Sequence, residues 1–81
     1  MEVEIRYFAA AREATGIASE TLALEAGTTV VDLAALLAER HAALADVLPT
    51  LRFAQDEAFA DGADAVRDGA VVALIPPVGG G

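Results

Sequence analysis

One long amphipathic helix can be read in this chain, and it constrains everything else. It opens at Thr29, whose hydroxyl can cap the first turn. Asp32 follows three residues later, where its carboxylate reaches back toward the cap and suits the positive helix end. Val30, Leu33, Ala34 and Leu37 then fall on one stripe at helical spacing. Glu39, Arg40 and His41 close the segment, with the two basic types at the end that favours them. A lone apolar stripe must be buried against one face of a sheet, so the remainder of the chain has to supply the strands.

It does. Val3, Ile5 and Tyr7 alternate with Glu4, Arg6 and Phe8, a period of two. Ala9 to Ala14 is rich in helix formers and stops at Gly16. Thr21 to Leu24 alternates again, with Leu22 and Leu24 on one side, and Ala26-Gly27 signals a turn. The connection between these two strands is short, which predicts an antiparallel pair. Beyond the long helix, Ala42 to Val47 reads as a further turn or two of helix before Pro49. Leu51 to Gln55 reads as a strand, Asp56-Glu57 as a turn and Ala58 to Ala60 as a brief strand. Residues 60–68 are small, acidic and turn-rich, an irregular connection ending at Asp68-Gly69. Ala70 to Ile75 is an apolar run of strand length, terminated by Pro76-Pro77 because neither proline can donate to a sheet ladder. The first and last strands are the most apolar and are placed side by side at the centre of the sheet. The expectation is an α+β fold, a mixed sheet packed on one long helix, known as a β-grasp. Residues 1–75 form this domain and residues 76–81 an extended, flexible C-terminal tail.

Composition narrows the functional classes. Apolar residues make up 56% of the 81 positions, enough for a single core. There is no cysteine, hence no disulfide framework, thiolate nucleophile or cysteine-based metal site. Thirteen acidic residues face five basic ones, all arginine, for a net charge of -8. A chain so acidic repels phosphate backbones, which disfavours nucleic acid and suits solubility and docking on a basic partner. The N-terminal run carries charge among its apolar residues, unlike a signal peptide. No apolar stretch approaches the roughly 20 residues of a membrane span. The reading is a cytoplasmic protein with no membrane partner.

The tail carries the most specific signal. Pro76-Pro77 stiffens the exit from the last strand, and Val78 is followed by Gly79, Gly80 and Gly81. Glycine has no side chain, so such an end can thread a channel too narrow for any other residue. Residues 76–81, extended, reach roughly 20 Å. Glycine-rich ends are commonly frayed and idle, but an idle end does not call for a proline pair directly behind a core strand.

Arg6-Tyr7-Phe8-Ala9, Ala11-Arg12-Glu13, Gly16, Asp68-Gly69 and the ending Ala73-Leu74-Ile75-Pro76-Pro77-Val78 with Gly80-Gly81 resemble the small subunit of molybdopterin synthase, one of the ubiquitin-like sulfur carriers. The resemblance runs from Val3 to the last residue. The Pro-Pro-Val-x-Gly-Gly ending is its specific part. Gln55-Asp56-Glu57 departs from the Val-Asn-Gly-Glu-like turn common in that family. What the resemblance implies is a chain that is not an enzyme alone but the sulfur-donating subunit of a heteromeric sulfurtransferase. A ubiquitin-activating-like adenylyltransferase would use ATP to adenylate the Gly81 carboxylate, which sulfur then converts to a thiocarboxylate. The loaded tail would enter the large subunit of molybdopterin synthase and give its sulfur to a pyranopterin precursor. On this resemblance Gly81 is the reacting residue, Gly80 its channel-fitting neighbour, and Gly79, Val78, Pro77 and Pro76 the docking tail. The chain itself binds no cofactor, since no phosphate-binding glycine loop is present and ATP belongs to the partner. A sulfur carrier for thiamine thiazole or cysteine synthesis, a ubiquitin-like modifier, and an interaction domain with an inert tail are the alternatives.

Elsewhere the sequence offers little chemistry. His41 is the single histidine, without a serine or cysteine partner at a recognisable spacing, and reads as an exposed residue at the helix end. Asp61, Asp64 and Asp68 lack the spacing and terminal glutamate of a calcium loop. If Val72 and Leu74 face the helix, Val71, Ala73 and Ile75 point to the other side, beside Phe8. That apolar strip is either a docking surface centred on Phe8 and Ile75 or a face buried under loops. Sequence leaves both open.

Overall fold

In the computed structural model, which describes residues 1–77, the chain runs through β1 (Glu2–Tyr7), α1 (Ala9–Thr15), β2 (Ser19–Ala23) and α2 (Val30–Arg40). It continues through a one-turn α3 (Leu44–Val47), a 3-10 turn (Leu48–Thr50), β3 (Arg52–Gln55), β4 (Ala58–Ala60) and β5 (Val71–Ile75). The capping box forms as the sequence predicts: Thr29 Oγ1 accepts from the Asp32 N–H at 3.3 Å, and Asp32 Oδ2 accepts from the Thr29 N–H at 3.1 Å. The next two N–H groups are also satisfied, by a segment the sequence gives only as irregular. Val30 donates to the Asp64 carbonyl and Val31 to that of Gly62, each at 2.9 Å. The acidic connection is therefore a cap for the start of α2. Gly16 ends α1 in the left-handed conformation, with φ of 76°, which only glycine adopts without strain.

The sheet order is β2-β1-β5-β3-β4. β1 and β5 are parallel at its centre, and the β1–β2, β5–β3 and β3–β4 pairs are antiparallel. The first and last strands are neighbours, as expected, because each presents a full apolar row to the helix. Val3, Ile5 and Tyr7 from β1 and Val72 and Leu74 from β5 are buried with Leu33 and Leu37 of α2. Leu22, Val30, Leu44 and Val66 complete the same core. β2 begins two positions before the predicted Thr21, since Arg6 pairs with Ser19 and β1 is matched along its length. Ladder pairing here overrides the weak strand propensity of Ser19-Glu20. The architecture is α+β, a mixed sheet with α2 covering one face.

Candidate functional site

The exit of β5 and the sheet face opposite α2 meet at one place. Tyr7 pairs with Leu74, so continuing the register sets Phe8 beside Ile75. The Phe8 N–H donates to the Leu74 carbonyl at 3.3 Å. Past Ile75 the chain leaves the sheet through Pro76 and Pro77, both exposed, and their missing N–H groups end the ladder. Val78, Gly79, Gly80 and Gly81 lie outside the described residues.

The alternation on β5 is the one expected. Val72 and Leu74 are buried against the helix, while Val71, Ala73 and Ile75 are half-buried on the other face. Phe8 continues the outward row of β1 and is 45% exposed. Strand pairing adds residues that the sequence reading did not assign to this face. Ala54 lies opposite Ala73, and Phe59 opposite Ala54. Phe59 is 54% exposed, and the Arg52 guanidinium sits 4.0 Å over its ring centroid, a cation–π contact. Leu51 to Gln55 is expected as a strand, but the adjacency of Arg52 and Ala54 to β5 required the strand order. Between these residues is a depression of about 420 Å³ lined by Arg6, Phe8, Ala54, Val71 and Ala73, with Asp56 and Glu57 at its rim. The reading that loops bury this face is not supported, since its aromatic residues stand open among the described residues.

The rim turn shows what the departure from an Asn-Gly-like pair means. Asp56 and Glu57 both have positive φ, 48° and 71°, in a two-residue hairpin turn that favours Asn-Gly. Asp56 compensates by clamping the start of β5. Its N–H donates to the Val71 carbonyl at 2.8 Å and its Oδ1 accepts from the Val71 N–H at 2.9 Å. Its Oδ2 accepts from Arg67 at 3.1 Å. The Val71 backbone bond, then the Arg67 bond, hold this carboxyl below its ordinary range.

A second polar cluster corrects the reading of His41. Its side chain is only 17% exposed, and Nε2 lies 2.6 Å from Glu20 Oε2. The Tyr7 hydroxyl donates to the same oxygen at 2.6 Å, and Arg40 Nε donates to Glu20 Oε1 at 2.7 Å. The Tyr7 and His41 rings meet edge to face, centroids 5.7 Å apart. Burial alone would raise the Glu20 pKa, but hydrogen bonds from Tyr7, His41 and Arg40 outweigh it and hold it at about 2. An ionised carboxylate only accepts, so His41 Nε2 carries the proton of that bond. Burial, and then the bond to Glu20, push the Tyr7 phenol well above its usual range. Helix periodicity ends at Arg40, and nothing in the sequence shows that the next residue turns inward over β2. The cluster joins the end of α2 to β1 and β2 on the helix side of the sheet.

The acidic residues of the 60–68 segment have structural partners. Asp64 Oδ2 accepts from the Asp61 N–H at 2.8 Å, and Asp68 Oδ1 from the Glu2 N–H at 2.9 Å. Among the described residues no group of three or more His, Asp or Glu side chains is placed to hold a metal ion. Among the same residues no helix is long and apolar enough to cross a membrane.

Comparison with known proteins matches residues 5–81 to the ThiS family. The chain belongs to this family. It is 37% identical to the molybdopterin synthase sulfur carrier subunit of Chlamydomonas reinhardtii over 83 aligned positions, covering 100% of both chains. Among solved structures, SAMP1 from Haloferax volcanii is similar with a TM-score of 0.87 and 25% identity, covering 100% of each chain. A third relative is a chain from the complex of subunits 1 and 2 of the molybdopterin-converting factor of Helicobacter pylori. It is 26% identical with a TM-score of 0.73, again covering 100% of both chains. The ThiS-family chain described here thus has the ubiquitin-like β-grasp fold, and its likeness to the small subunit of molybdopterin synthase, read first from the Pro-Pro-Val-x-Gly-Gly ending, holds over its full length.

Proposed function

We propose that this chain is a cytoplasmic sulfur carrier, the small subunit of a molybdopterin synthase, with the carboxyl group of Gly81 as its reactive group. The observation that carries the reading is full-length similarity to a molybdopterin synthase sulfur carrier subunit, joined to a central strand that runs straight into Pro76-Pro77 at the edge of an open apolar face. A carboxylate is a poor electrophile. Its oxygen attacks the α-phosphorus of ATP on a ubiquitin-activating-like adenylyltransferase, pyrophosphate leaves, and the acyl adenylate offers AMP as a good leaving group. A sulfur nucleophile then adds to the carbonyl carbon and AMP departs, leaving a thiocarboxylate. Its soft sulfur is delivered on a tether, which supplies the proximity that a free sulfide would lack. The acceptor is a pyranopterin precursor held by the large subunit, and the likeness to a chain from a two-subunit converting factor supports that partner. Phe8 and Ile75 anchor the partner beside the tail, with Pro76, Pro77, Val78, Gly79 and Gly80 leading Gly81 into its channel.

Intact-mass analysis of the chain isolated from its own cells tests this: a fraction carrying one oxygen-to-sulfur exchange, located to Gly81, is expected. Deleting Gly81, or adding a residue that is not removed, abolishes formation of the dithiolene cofactor. Normal cofactor synthesis by either variant defeats the proposal. The likeness to SAMP1, a small archaeal modifier protein, favours a second reading in which the activated tail is joined to amines of other proteins. That reading predicts covalent conjugates in cell extracts that disappear with Gly81.

A further inference from the structure

The amine and thiol side chains that could intercept an activated tail, lysine and cysteine, are absent from this sequence. All five cationic side chains are arginine. Four of these arginines have a described contact: Arg6 with Glu4, Arg40 with Glu20, Arg67 with Asp56, and Arg52 over the Phe59 ring. Each is a bond or stacking contact that a guanidinium makes well, and a guanidinium remains protonated at every physiological pH. It has no lone pair with which to attack an acyl adenylate. Two other nitrogen nucleophiles are present, and both are engaged. The Met1 amino group donates to the Leu24 carbonyl at 2.8 Å. The His41 imidazole is half-buried, with Nε2 on Glu20 at 2.6 Å. The Tyr7 phenol is buried, donates to the same carboxylate, and has its ionisation suppressed by burial and that bond.

We infer that the chain is built as a one-way donor: its activated tail cannot be captured by another copy of the chain, so it passes on sulfur, or modifies a foreign amine, as a single unit and never as a linked chain of copies. The inference rests on the carrier reading, because it needs an activated tail. Capture by a second copy would form a bond from an amine nitrogen to the Gly81 carbonyl carbon. The bond to AMP, or to sulfur after loading, would break, and the amine would lose its proton to solvent. Arginine cannot take the first of these steps. A lysine on the surface could, through the lone pair of its neutral amine.

The chain, its ubiquitin-activating-like enzyme and Mg-ATP are incubated without a sulfur donor, and pyrophosphate release and intact mass are followed together. Pyrophosphate is released and no chain-to-chain adduct accumulates for the natural sequence. Ala35→Lys, Ala45→Lys and Ala63→Lys each place an amine at an exposed position away from the open sheet face. These variants release pyrophosphate at the same rate and gain adducts linked through the new lysine. Adducts of the natural sequence mapped to Met1, His41 or a hydroxyl overturn the inference, as does activation of all three lysine variants without any adduct. Absence of pyrophosphate release overturns the carrier reading itself, and this inference with it.

Discussion

The two faces of the sheet are built from alternate residues of the same strands, yet they answer to different demands. On the helix side, Val3, Ile5, Tyr7, Val72 and Leu74 meet Leu33 and Leu37, and all seven are buried. On the other side Phe8, Val71, Ala73, Ile75 and Phe59 remain half-buried or exposed, in company with Arg6 and Arg52. A period of two puts both rows on one strand. The first row contributes stability by leaving water within this chain. The second stays open to solvent within this chain, and on the proposed reading it gains most when the partner covers it. Substitutions should therefore separate into those that unfold and those that unbind.

The largest expected effect is on the covered face. Leu33→Ala deletes a fully buried side chain under the sheet centre and should cost about 2–5 kcal/mol, measured by urea unfolding. A cost near that of an exposed site would mean the helix does not hold the sheet. Next is the Glu20 cluster at the edge of the same face. Its folded pKa of about 2 lies below its ordinary 4.5, so its contribution is complete above pH 4.5 and is lost as pH falls toward 2. The loss should be on the order of 2–3 kcal/mol, discounted for the exposure of Arg40. Glu20→Gln should remove that part of the acid dependence; an unchanged profile between the two proteins would refute the assignment.

The open face gives the contrast. Phe8→Asp should weaken binding to a large synthase subunit by about 2 kcal/mol, the scale of an interface anchor, while shifting unfolding free energy by less than about 0.5 kcal/mol. Calorimetric titration beside thermal melts reads both quantities, and Ile75→Asp repeats the test at the strand end. Equal loss of stability and affinity would merge the two faces into one core. The smallest effect is at the rim. Glu57→Gly relieves a side chain at φ of 71° and should stabilise by about 0.5–1 kcal/mol, seen as a raised melting temperature. A lowered one would show that the glutamate is held by contacts worth more than its strain.

Much of the fold was legible because it follows local rules. The Thr29–Asp32 capping box, the stripe of Val30, Leu33 and Leu37, and the Gly16 stop each depend on residues within about two turns of one another. So does the inside-outside parity of β5. The candidate site was legible in part. Phe8 and Ile75 follow from parity alone, whereas Ala54, Arg52 and Phe59 join them through pairings between segments that the sequence cannot align. His41 was misread for the same reason: its partners Tyr7 and Glu20 are distant in sequence and come together only when β1 and β2 pair.

By itself the sequence determined the parity of the strands, the one helix that must cover them and the ending of proline and glycine behind the last strand. These depend on side-chain type and short-range spacing. Only the tertiary structure decided that Glu20 gathers Tyr7, Arg40 and His41, that the acidic 60–68 segment caps α2, and which outward side chains form one open surface. Those outcomes depend on which strands and loops become neighbours, and neighbours are chosen by burial of the whole core at once.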